Sequence, residues 1–343
     1  MASDTQHTRD VYRAKYPRVI LAGLAFPAVR EYLEQALPGI EIEAVSLDHL
    51  AQHGSRAEVL IPMMSSISAK LMDRFDNLRL IQQWGAGLEA IDIEAATSRN
   101  VAVANVPSAG TGNAESVAEW CIMAAIALSR RLAETQNRIR TGSRWGSPCG
   151  QALLGRTAGI VGLGGIGQAL AVRLKPFGMR LLGLKRNPDL SLSKRLGIEW
   201  IGGPDQLSEL AHQSDYLFLC VRLTDQTQGL INDSVLASLP SGACVINASR
   251  GGVINQPALI RELSKGRLIG AALDVYEQEP LDRGSPLLER SDVLATPHIA
   301  GVTDVSYRGI SQHVAENIGH LMTHEPISNC INWEAISQKS ARA

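Results

Sequence analysis

Aromatic side chains are scarce in this sequence: Phe, Trp and Tyr make up 4% of 343 residues, against 31 glycines. Such a chain packs with Ala, Val, Ile and Leu and turns tightly and often, which favours α/β layers. Net charge is also missing. Lys and Arg total 33 and Asp and Glu 34, a formal charge of −1, so neither a nucleic-acid binder nor a polybasic membrane surface is indicated. The five cysteines (Cys121, Cys149, Cys220, Cys244, Cys330) are scattered and never spaced C-x-x-C. That pattern gives no zinc motif and fits small buried hydrophobes in a reducing cytoplasm. No apolar run approaches the ~20 residues that span a bilayer; the longest, Trp120 to Leu128, has nine. Val19 to Phe26 imitates a signal sequence, but Asp4 and Asp10 precede it and Pro27 and Glu31 follow, so it reads as a first core strand.

The chain has 45% hydrophobic and 20% charged residues, the balance of a soluble globular protein. At about 150 residues per domain its length predicts two domains. Short β-branched runs at 18–24, 40–45, 59–63, 78–84 and 101–106 alternate with helical segments such as 27–36 and 68–75. This predicts a small α/β unit with a parallel sheet. A long helix is predicted from Asn113 to about Arg140; it is apolar around most of its girth and is therefore expected to be buried between two domains. Gly142 to Gly150 reads as a loop. A second series follows, with strands at 157–161, 179–184, 199–201, 216–221, 243–247, 269–275 and 293–295. Helices are predicted at 165–175, 205–212, 231–239, 256–265 and 303–323, and the first sixteen and last ten residues read as polar tails.

The run Thr157-Ala-Gly-Ile-Val-Gly162-Leu-Gly164-Gly165-Ile-Gly167 fits G-x-G-x-x-G after a β-branched strand and before a helix. In that setting Gly162 permits a tight turn, Gly164 lets backbone approach a pyrophosphate, and Gly167 allows close helix–strand packing. The helix N-terminus then offers its N–H groups to the anion. A ribose-reading carboxylate belongs about 20 residues further on. Lys185 and Arg186 stand there instead, Lys185 being 18 residues past Gly167. Two cations favour a 2′-phosphate through charge-assisted bonds, so the preferred cofactor is NADP(H). With both cations merely solvated, NAD(H) would serve as well.

Three more strand ends carry polar groups: Val245 to Gly252 with Arg250, Asp274 to Pro280 with Glu279, and Thr296 to Gly301 with His298. Ligands of a doubly wound sheet bind outside the carboxyl ends of its strands, where Arg, Glu and His can converge. Singly these residues read as a surface ion pair, a helix cap and a loop histidine. Beside a dinucleotide turn they fit hydride transfer. Hydride transfer to a carbonyl also needs a proton, which an imidazole can deliver near neutral pH.

With these motifs on the page, the sequence resembles the D-isomer-specific 2-hydroxyacid dehydrogenases. The resemblance runs from about Leu80 to Ile331 through Gly85-Ala-Gly-Leu-Glu-Ala-Ile-Asp92, Asn105-Val-Pro107, Ser116-Val-Ala-Glu119 and Leu163-Gly-Gly-Ile-Gly167. It continues through Asn247-Ala-Ser-Arg250-Gly, Gly270-Ala-Ala-Leu-Asp274-Val-Tyr, Glu279-Pro and Thr296-Pro-His298. It implies an α/β fold of two Rossmann-like or flavodoxin-like parallel-sheet domains, with the substrate domain discontinuous. Residues 1–107 and the C-terminal helical segment 302–343 would form the substrate domain, and 108–301 the NAD(P)-binding domain.

It also implies roles. Arg250 would hold the carboxylate and polarise the carbonyl, His298 would exchange the proton, and Glu279 would be its partner. Backbone amides of Ala86 and Gly87 would help bind the carboxylate. Asp274 would contact the nicotinamide amide, while Gly165, Ile166, Val221, Ala248, Ser249 and Gly301 would line the cofactor. No metal is implied, and a cytoplasmic homodimer is. Arg222 stands where the family has proline and Glu89 where it has Asp. With 45 residues after His298, the extra domain of longer phosphoglycerate dehydrogenases is not expected. Met63, Met64 and Trp84 suit a compact or apolar substrate, which makes glyoxylate or hydroxypyruvate the leading expectation. The alternatives are an NAD-linked dehydrogenase for phosphoglycerate or a bulkier 2-oxo acid, a formate-type dehydrogenase disfavoured by Glu279, a phosphite-type oxidoreductase, and a dinucleotide-sensing corepressor-like binding protein.

Overall fold

Both faces of β1 (Val19–Ala22) are buried: Val19 and Leu21 enter one core, Ile20 and Ala22 another. A strand covered on both sides reads as an unbroken apolar run. The computed structural model describes residues 17–142 and 145–340. The N-terminal sixteen, expected to be a polar tail, lie outside the described residues. The chain divides into one unit of Met1–Thr111 with Asp304–Ala343 and another of Gly112–Thr303.

In the first unit, β2 (Ile42–Val45), β3 (Val59–Pro62), β4 (Leu80–Gln82) and β5 (Ala102–Ala104) join β1 in a parallel sheet of order β2-β1-β3-β4-β5. One face is covered by the Ala28–Ala36 and Asp304–Thr323 helices, whose Val29, Leu33, Ile310, Val314 and Ile318 form a single cluster. The C-terminal segment thus completes a layer begun near the N-terminus. Buried amides fix it in place: Asn317 Nδ2 donates to Gln82 Oε1 at 2.8 Å, and Asn332 Oδ1 accepts from Val103 N at 2.9 Å. Residues 334–340, expected to be tail, lie in the Trp333–Ser340 helix. Ile336 is buried in the same cluster and supplies the apolar contact that a tail would lack.

In the second unit, β6 (Thr157–Val161), β7 (Arg180–Leu184), β8 (Trp200–Gly202), β9 (Tyr216–Leu219), β10 (Cys244–Asn247), β11 (Gly270–Leu273) and β12 (Val293–Ala295) form a parallel sheet of order β12-β11-β10-β9-β6-β7-β8. This is the doubly wound order with one strand added, and it reverses direction at β6. Helices Asn113–Ser129 and Gly165–Leu174 share one core with the sheet; helices Leu207–His212, Asp233–Ser238 and Gln256–Ser264 share the other. The long helix expected over 113–140 is broken. It stops at Ser129, Arg131 turns left-handed at φ 50°, and a separate helix, Leu132–Arg140, buries nothing. After Leu128 the large apolar residues thin to Leu132 and Ile139, both exposed, among charged and polar neighbours, too few to hold the next helix on the sheet. Nor is the first piece buried all round, since Met123 and Ile126 are exposed. Among the described residues no helix is long and apolar enough to cross a membrane, and no three His, Cys, Asp or Glu side chains group as a metal site.

Candidate active site

Strand register sets the geometry of the second unit. Leu184, Val161, Leu219, Asn247, Leu273 and Ala295 lie in one row across β7, β6, β9, β10, β11 and β12. Each strand ends at that row, so the residues that follow share one edge: Lys185, Gly162, Cys220 (with Val221 next to it), Ala248, Asp274 and Thr296. At about 4.8 Å per strand, β7 and β12 stand roughly 24 Å apart, wide enough for an extended dinucleotide.

The glycine turn behaves as its spacing predicts. Gly162 has φ +98°, and a Cβ there would meet Cys220 O at 2.6 Å and Val221 Cγ1 at 2.7 Å. A Cβ at Gly167 would fall 2.0 Å from Gly162 O, whereas one at Gly164 would meet nothing. The helix opening at Gly165 has no side-chain cap, and Gly164 before it is exposed. That is the cradle a pyrophosphate requires, and the residues fit a dinucleotide. Lys185 follows β7 level with this turn, because Gly162 N donates to Leu184 O at 3.1 Å. Lys185 Nζ donates to Asn187 O at 3.3 Å, and Arg186 is exposed. The nearest carboxylate along the chain, Asp189, caps the Leu190–Leu196 helix through Ser191 N and Leu192 N. Arg222 is exposed and carries a turn in which Thr227 Oγ1 donates to Arg222 O at 2.7 Å.

At the other end of the row, His298 Nδ1 lies 2.8 Å from Glu279 Oε2, and Glu279 Oε1 accepts from Tyr276 N at 2.9 Å. Burial pushes the Glu279 carboxyl up. The His298 hydrogen bond and charge, the Tyr276 N–H and the Arg250 charge outweigh it and hold the carboxyl below its usual range. Arg250 follows β10, and its Nη1 donates to Ser249 O at 2.7 Å. Gly251 makes the approach of Arg250 to Glu279 feasible, since a Cβ there would lie 1.8 Å from Tyr276 C and 2.4 Å from Glu277 N. The Arg250 loop therefore lies flat against the Glu279 loop. Asp274, 1% exposed, accepts from Thr296 Oγ1, Ile299 N and Ala300 N. A Cβ at Gly301 would meet Asn113 Nδ2 at 2.5 Å, so its bareness admits the start of the Asn113–Ser129 helix. Arg250, Glu279, His298, Asp274, Ala248 and Ser249 thus stand on adjacent strand ends, with Gly162, Gly164, Gly165, Ile166, Gly167, Val221, Lys185 and Arg186 further along the edge. Ala86 and Gly87 belong to the first unit, in the turn after β4, where Asn105 Nδ2 donates to Ala86 O at 2.8 Å.

The sequence reading gave no role to several residues that build this edge. Asn247, fully buried, accepts from Ser249 N and Oγ and donates to Arg250 O at 2.9 Å, which shapes the arginine loop. A polar amide ending an otherwise apolar strand was the available signal. Tyr276 Oη donates to Leu273 O at 2.9 Å and Thr296 O at 3.0 Å, joining the ends of β11 and β12. Its phenol is pushed up to about 12, chiefly by burial.

The sequence model described as "D-isomer specific 2-hydroxyacid dehydrogenase, NAD binding domain" matches residues 122–300. The chain is 33% identical over 286 residues to the glyoxylate reductase of Korarchaeum cryptofilum, covering 81% of this chain and 84% of that protein. Among solved structures, the apo D-lactate dehydrogenase of Escherichia coli superposes with a TM-score of 0.80 at 27% identity, covering 91% of this chain and 99% of that one. The D-lactate dehydrogenase of Aquifex aeolicus complexed with NAD and lactic acid gives 0.76 at 25% identity, covering 90% and 96%.

Proposed function

From the premise that this chain belongs to the D-isomer-specific 2-hydroxyacid dehydrogenases, oxidoreductases of small 2-hydroxy and 2-oxo acids, we propose that it reduces a compact 2-oxo acid, glyoxylate or hydroxypyruvate, with NADP(H). The second unit would hold the dinucleotide.

One observation carries the reading: the 2.8 Å contact between His298 and Glu279, reached by the charge of Arg250, sits on the same sheet edge as the uncapped glycine turn. The cofactor, when bound, supplies hydride. The protein's own groups do the rest. Arg250 presents a guanidinium to the substrate carboxylate and C2 carbonyl, drawing charge toward the oxygen that becomes an alkoxide. His298 delivers the proton to that oxygen through Nε2, because Nδ1 faces Glu279, and Glu279 stabilises the charged ring before delivery.

Lys185 and Arg186, with no carboxylate in the ribose-reading place, support NADP(H). Use of both cofactors is the second reading, favoured by Lys185 Nζ turning to Asn187 O. The relatives named glyoxylate reductase support the substrate choice. A cytoplasmic homodimer is part of the same proposal. A steady-state screen of NADPH and NADH against glyoxylate, hydroxypyruvate, pyruvate and a bulky aromatic 2-oxo acid tests it. The highest kcat/KM is expected for NADPH with one of the first two, and a clear preference for NADH or for the aromatic acid would overturn that choice.

A further inference from the structure

His298 occupies an awkward place. It has a left-handed backbone, φ +57°, which few non-glycine residues adopt and which persists only where the surroundings enforce it. The enforcing contacts converge on one residue. Asp274 O accepts from His298 N at 2.9 Å. The Asp274 carboxylate accepts from Thr296 Oγ1 at 2.6 Å on one side of the histidine, and from Ile299 N and Ala300 N, each at 2.8 Å, on the other. Four hydrogen bonds from residues 296–300 thus end on a side chain and carbonyl that are 1% exposed.

We propose that Asp274 is a positioning residue for His298: its carboxylate grips the Thr296–Ala300 turn from both sides and so sets where the imidazole stands against Glu279. A carboxylate has about four acceptor positions, and three donors already fill most of them. The one position left can still accept an N–H of the nicotinamide carboxamide, the contact that the family resemblance implies and a small part of a dinucleotide's whole affinity. The proposal rests on the reading of His298 as the proton-exchanging group.

Asp274→Asn puts an amide N–H against N–H donors and loosens the turn. With the substrate panel above, kcat is expected to fall by about one to two orders of magnitude. The dissociation constant of the reduced cofactor, read from nicotinamide fluorescence, should stay within about twofold. Thr296→Val, which removes only one of the three carboxylate contacts, is expected to lower kcat less and in the same direction, and it keeps the test open if the first variant folds poorly. Combining Asp274→Asn with His298→Ala distinguishes positioning from general support of the fold: acting through His298, the aspartate change should cost the residual turnover of the His298→Ala enzyme nothing more. A cofactor dissociation constant raised tenfold or more with kcat retained would overturn the proposal, and so would fully additive losses in the double variant. If His298→Ala itself keeps full turnover, the reading of the site fails first; if His298→Ala is crippled while Asp274→Asn and Thr296→Val run normally, only the positioning role falls.

Discussion

Glu279 Oε2 and His298 Nδ1 are 2.8 Å apart although the two residues stand on different strand ends. Turnover should depend on that imidazole. His298→Ala is expected to lower kcat by about two to four orders of magnitude with cofactor affinity kept. Wild-type kcat in the variant would remove the residue from the mechanism.

Under the proposed function Arg250 would hold the substrate carboxylate by two parallel bonds, which a lysine cannot reproduce. Arg250→Lys should mainly raise KM for the 2-oxo acid and also slow turnover. Kinetics indistinguishable from wild type would count against a carboxylate clamp.

Glu279 gives a pH signature. Its carboxyl titrates lower in the folded protein than when unfolded, so its contacts stabilise the fold fully above the ordinary carboxylate value and are lost as pH falls through the lower, folded value. Glu279→Gln removes that contribution. The Tm difference from wild type is therefore expected to be largest near neutrality and to close below about pH 4. A difference that stays constant across the acid range would show that the carboxylate's charge contributes nothing.

Lys185 and Arg186 set the cofactor preference if their charges meet a 2′-phosphate. Lys185→Asp should reduce kcat/KM for NADPH by about tenfold to a hundredfold, as one or two charge-assisted bonds are worth, and should leave NADH little changed or improved. Equal losses with both cofactors would point to a general disturbance of the β7 end.

Gly167 tests the turn as packing. A methyl there would lie 2.0 Å from Gly162 O, a backbone atom that cannot swing away. Gly167→Ala is expected to lower stability by about 1–3 kcal/mol and to weaken dinucleotide binding by displacing the Gly162–Gly165 turn. Thermal unfolding and a cofactor titration read the two effects separately.

Much of this edge was legible without coordinates. Apolar runs located the twelve strands among the described residues, since most of them are buried throughout and the run itself is the signal. The glycine spacing located the turn because Gly162 and Gly167 answer to short-range clashes. Short helices such as Leu47–His53, Ile93–Ser98 and Leu190–Leu196 were not anticipated. Their caps Ser46, Asp92 and Asp189 were visible, but so few turns carry too little periodicity to be told from loop.

By itself, the order of residues determined which strands exist and that Arg, Glu and His follow three of them. These properties are local, set by side-chain pattern and backbone sterics within a few residues. Only the tertiary structure decided that those ends align in one row, that Gly251 lets the Arg250 loop rest against Tyr276, and that Asp274 turns toward the histidine loop. Register across a sheet and the choice of hydrogen-bond partner join groups far apart in the chain. They follow from packing the whole unit and leave no mark in any short stretch of sequence.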